Sequence, residues 1–81
     1  MPSRLLRKTK EEMLSIASDN VLDISMSPSF SPRGMSRVRI MDYVNGEEAC
    51  VGFIDMNVEN AIALHNELLR TASKWHWSNH A

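Results

Sequence analysis

Few residues in this chain have the types and spacing for catalysis. His76 and His80 stand at i, i+4, the interval that turns two imidazoles toward one metal ion on a helix, but no acidic or thiol residue in the sequence completes their set. No metal and no cofactor are therefore expected. His65 falls in the middle of an apolar helical stripe, where an imidazole packed in the core with one nitrogen on a carbonyl is the commoner arrangement, and no Ser or Asp motif forms a triad with it. Cys50, the single cysteine, has no base or helix N-terminus beside it to generate a thiolate, so it reads as a small apolar residue in a strand. Paired acids, a phosphate loop and a metal set are all missing, so the chain is not expected to be an enzyme or to take a small-molecule substrate.

Charge and aromatic residues say more. Net charge is −1, but the distribution is uneven. Arg4, Arg7, Lys8 and Lys10 crowd the N-terminus, and Arg33, Arg37 and Arg39 form a second basic group. From Ile40 to Leu69 there is no Lys or Arg, while Asp42, Glu47, Glu48, Asp55, Glu59 and Glu67 are all negative. Such a dipolar chain can orient a partner, yet it is too near neutral for a general nucleic-acid binder. Trp75 and Trp77 would point about 200° apart on a helix, so both cannot enter one core. Either the helix frays there and the tail docks as a lid on its own domain, or Trp77 is exposed as a candidate interface anchor or a ring to stack on a base.

The elements that position these residues follow from pattern. Thr9 and Glu12 form a capping box for a helix over about 10–18, with Met13, Ile16 and Ala17 on one face. Leu22, Ile24 and Met26 alternate with polar residues and predict a strand from Val21 toward Phe30, and the Ser- and Pro-rich stretch from Ser27 to Gly34 reads as a connector. Asn45-Gly46 is a type I′ hairpin turn. A two-residue loop would pair Ile40 with Val51 and Val38 with Phe53, setting Val38, Ile40, Ala49, Val51 and Phe53 on the core face. A long helix is expected from near Asn57, with Val58, Ala61, Ile62, His65, Leu68, Leu69 and Ala72 inward.

The resulting fold class is α+β: a two-layer αβββα domain with a three-stranded antiparallel sheet and both helices on one face. This order resembles the double-stranded RNA-binding domain. That family places lysines at the start of its last helix to hold phosphates, whereas the matching stretch here, Asp55 to Asn60, is acidic and repels them. One domain over residues 9–77 is expected, after a basic arm over 1–8 that is free to fray and before a tail over 78–81. A chain of 81 residues with 43% hydrophobic composition supports one small core. No apolar run is long enough to cross a membrane and no signal peptide is expected, so the expected location is cytoplasmic.

The functional expectation is a small non-enzymatic interaction protein of the regulator or inhibitor type, a common role for bacterial and phage-encoded chains of this size. Its partner, another protein or a second copy in a homodimer, is expected to bind the sheet face pointing away from the helices. Candidate contact residues are Arg37, Arg39, Met41, Tyr43, Cys50 and Ile54, with Trp77 from the C-terminus. The alternative is a nucleic-acid-binding regulator using Arg4, Arg7, Lys8, Lys10, Arg37 and Arg39.

Overall fold

The computed structural model describes residues 6–19, 21–29 and 34–80, with side chains as far as residue 72. Arg4, Arg33 and the side chain of Trp77 lie outside the described residues. The order is α1 (Lys10–Ser18), β1 (Asp23–Ser29), β2 (Met35–Val44), β3 (Glu47–Asn57) and α2 (Val58–His80), an αβββα fold as the sequence predicts. The sheet is antiparallel with strand order β1-β2-β3.

Local chemistry sets the element ends. The Thr9 hydroxyl accepts from the Glu12 N–H at 3.1 Å, and the Glu12 carboxylate accepts from the Thr9 N–H at 2.8 Å, completing the capping box. The Thr9 N–H bond is the largest influence holding the Glu12 carboxyl below its ordinary pKa. Asn45 and Gly46 adopt φ of 54° and 84°, joining β2 to β3 by the two-residue turn. Asn57 caps α2, its side-chain oxygen accepting from the Asn60 N–H at 2.9 Å.

The hairpin register departs from expectation beyond its first four pairs. Val44↔Glu47 through Met41↔Cys50 match, but the next pair is Ile40↔Gly52. Val51 is thus the extra residue of a β-bulge, and every later pair slips by one: Arg39 faces Phe53 and Val38 faces Ile54. A one-residue slip turns side chains to the opposite face. Ile54 therefore points inward and packs against the core, which corrects its expected place among the partner-binding residues, and Phe53 points outward. The reason lies at Gly52. A Cβ there would stand 3.1 Å from Lys8 Cγ, 3.3 Å from Ile16 Cδ1 and 3.5 Å from Met13 Sδ, so α1 lies directly over a strand position that has no side chain.

The core joins Met13 and Ala17 of α1, Ala61, Leu64, Leu68 and Ala72 of α2, and Val21, Ile24, Val38 and Ile40. Fully burying a side chain such as Ile40, Leu64 or Leu68 contributes about 1.5–3 kcal/mol each. The buried stripe of α2 is rotated from the expected one. Leu64 is buried, whereas Val58, Ile62 and Leu69 are exposed. Contact with α1 on the flank carrying Asn60, Leu64 and Glu67 causes this, and Lys10 reaches Glu67 at 3.9 Å across that junction. Among the described residues, no helix is long and apolar enough to cross a membrane.

Candidate interaction face

Alternation along β2 sends Met35, Arg37, Arg39, Met41 and Tyr43 to the sheet face opposite Val38 and Ile40. On β3 the bulge sends Cys50, Phe53 and Asp55 to that same outer face. Five of the expected contact residues, Arg37, Arg39, Met41, Tyr43 and Cys50, are therefore brought together there. Tyr43 is 63% exposed, and Met41 and Cys50 are half-buried.

The basic end of this face is highly organised. Arg37 grips Asp55 with two parallel hydrogen bonds, Nε to Oδ1 at 2.8 Å and Nη2 to Oδ2 at 2.9 Å. Its Cζ also lies 4.2 Å from the centroid of the Phe53 ring, with Arg7 Cζ 5.9 Å from the same centroid. The guanidinium groups hide the ring, which is only 5% exposed despite facing outward. Arg39 donates from Nη2 to the Ser27 hydroxyl at 2.7 Å. The Arg37 hydrogen bonds are the main cause that lowers the Asp55 pKa, opposed by burial and aided by the charges of Arg37, Arg7 and Arg39. Asp55 in turn raises the pKa of Arg37. Arg37 bonds Asp55, and Arg7 and Arg39 act on the same carboxylate through their charges, so these four groups together carry an excess of two positive charges.

The basic residues do not act as one set. Arg7 joins the cluster because the arm docks on β3, where Arg7 forms a parallel bridge with Phe53 and the Lys8 N–H donates to the Phe53 carbonyl at 2.8 Å. Lys8 Cγ lies toward Gly52 on the helical side, and Lys10 pairs with Glu67 there. Phe53, Asp55 and Ser27 complete the face although no motif singles them out in the sequence. Their pairing opposite Arg37 and Arg39 exists only once the bulge and the β1–β2 register are set.

The remaining chemistry is modest. The Cys50 thiol donates to the Gly52 carbonyl across the bulge at 3.5 Å. His65 Nε2 lies 3.3 Å from the Ile24 carbonyl oxygen, the carbonyl contact expected of it, but the residue is half-buried and lies outside the core cluster. Among the described residues no group of three His, Cys, Asp or Glu side chains could hold a metal ion. A groove of about 290 Å³ between the helices is lined by Lys10, Met56, Asn60, Ala63, Leu64 and Glu67, with no base set against a nucleophile. The chain matches no protein-family model, no curated protein and no solved structure.

Proposed function

We propose that this chain is a small non-enzymatic interaction protein of the cytoplasm that binds an acidic surface of a protein partner through the outer face of its sheet. The observation that carries this reading is Arg7 and Arg37 held over Phe53, with Arg39 fixed beside them on the Ser27 hydroxyl and the charges of all three acting on the Asp55 carboxylate. Guanidinium groups fixed by stacking and by a bidentate bond lose little freedom on binding, and their excess charge selects an anionic surface. Met41 and Tyr43, next along β2, supply adaptable and aromatic contact area beside the charge. Trp77 adds a C-terminal aromatic to the proposed contact set. The experiment is to replace Tyr43 by Ala and Met41 by Asp: both weaken association while helical content by circular dichroism stays at the parent level. Parent-like association in both variants removes the sheet face from consideration.

The second reading takes phosphate as the anion. Arg7 and Arg39, on the same face as Arg37, favour it; the placement of Lys10 against Glu67 does not. Phosphate contacts make binding strongly salt-dependent. Retention on DNA or RNA at low ionic strength, lost on Arg39→Glu, would favour nucleic acid over protein.

A further inference from the structure

One row of the outer face sets guanidinium groups on both sides of a ring. Arg39 of β2 pairs with Phe53 of β3 on one side, and Arg7 of the arm bridges to Phe53 on the other. Neighbouring strands lie about 4.8 Å apart, so the two arginines start about 10 Å apart, and both long side chains can close on one group between them. Most of their N–H donors have no partner among the described residues. Arg39 gives Nη2 to the Ser27 hydroxyl, and the side chain of Arg7 makes no hydrogen bond or salt bridge there. A guanidinium accepts nothing, so the Ser27 hydroxyl, which accepts from Arg39, keeps its own proton to donate. Arg37 is already bonded to Asp55.

We propose that this row is a receptor for a phosphomonoester, a phosphorylated side chain on the protein partner, held by Arg7, Arg39 and the Ser27 hydroxyl. The inference rests on the reading of the outer face as an anion-binding protein contact and names the anion. Charge selects it. Arg7, Arg37 and Arg39 set against Asp55 leave two positive charges. A phosphomonoester brings close to two negative charges to one point, where a carboxylate or a phosphodiester brings one. Its three terminal oxygens each take a donor, and guanidinium groups pair with phosphate through two parallel N–H bonds.

The other end of the face disfavours a nucleic acid. Pairing of Asp23 with Met41 and of Glu48 with Tyr43 puts both exposed carboxylates on this same face, beyond the arginines. A run of phosphodiesters following the face from the arginines would meet and be repelled by them, whereas one phosphate on a protein segment would not. Met41 and Tyr43 offer that segment apolar contact on the same face.

Amide NMR titration of the full chain tests the proposal, using a short Gly-Ala peptide with one phosphoserine beside the same peptide with Glu in its place. The phosphoserine peptide is expected to bind about tenfold more tightly near neutral pH. That lead should disappear by about pH 5, because the second pKa of phosphoserine is about 6 and the dianion is then only about a tenth of the total. Arg37 holds the Asp55 pKa below its ordinary value, so their pair stays charged over that range. His65, the one described histidine side chain, belongs to α2 on the core side of the sheet, and the Glu peptide reports any pH response of the chain itself. Arg7→Gln and Arg39→Gln, each with the parent helical content, are expected to weaken the phosphoserine peptide about tenfold. Equal affinity for the two peptides, or binding of neither, overturns the proposal and leaves the acidic-surface reading to its own test with Tyr43→Ala and Met41→Asp. A lead that ignores pH, or one kept in both Gln variants, overturns it as well. So does tighter binding of a short single-stranded oligonucleotide, which would favour phosphodiesters.

Discussion

Asp55 takes two hydrogen bonds from Arg37, and the same guanidinium covers the ring of Phe53. One side chain thus joins the charge pair to the outward-facing ring, and the bulge at Val51 puts all three in reach. Because Asp55 is nearly buried and Arg37 about one-third exposed, the pair sits between a surface ion pair and a core one. Removing the carboxylate by Asp55→Asn is expected to cost about 1–3 kcal/mol in urea unfolding at neutral pH. The cost should depend on pH. The folded pKa of Asp55 lies below its unfolded value of about 3.9, so the stabilisation is full above that value and fades as pH falls through the folded pKa. Parent and variant stabilities should therefore converge in acid; a gap that stays constant to the lowest pH at which the protein folds would show that the ionised pair is not its source.

Gly52 should tolerate a methyl group but not a branched side chain. Alanine gains about 0.5–1 kcal/mol from the stiffer backbone, set against close approaches to the Lys8 stem at Cγ and to the terminal Cδ1 methyl of Ile16. Gly52→Ala is accordingly expected to fold with stability near the parent's. Gly52→Val must push α1 from the sheet, at an expected cost of about 1–3 kcal/mol. Thermal unfolding of both variants distinguishes the cases, and equal stability for Ala and Val would mean that α1 does not rest on this position.

The Thr9 cap offers an independent check on α1. Thr9→Ala deletes the acceptor for the Glu12 N–H and should lower stability by about 1 kcal/mol. Thr9→Ser keeps that acceptor and should stay close to the parent in the same measurement.

Legibility in the sequence follows the range of the interactions. Thr9 with Glu12 and Asn45 with Gly46 act within a turn or two of chain, and the sequence shows both. The four hairpin pairs next to the turn are readable for the same reason. Beyond Cys50 the register depends on α1 settling over Gly52, a contact between distant parts of the chain, and alternation alone assigns Phe53 and Ile54 to the wrong faces. One local signal of the bulge is present, a glycine inside an otherwise apolar strand. The rotated stripe of α2 has a similar cause: Val58, Ile62 and Leu69 fit an inward stripe until α1 occupies the flank at Leu64. At the candidate site Arg37, Arg39, Met41 and Tyr43 lie on β2, whose alternation the bulge in β3 leaves intact, and Cys50 precedes the bulge. Asp55 and Phe53 follow it, and Arg7 reaches the cluster only through the docked arm.

The most direct test of the outer-face account is affinity capture from extracts of the cells that make the protein, comparing the parent with Arg39→Glu and Tyr43→Ala after nuclease treatment. The account predicts a protein partner that the parent retains, that both variants lose, and that moderate salt weakens. Equal retention by all three chains, or retention that nuclease abolishes, would contradict it.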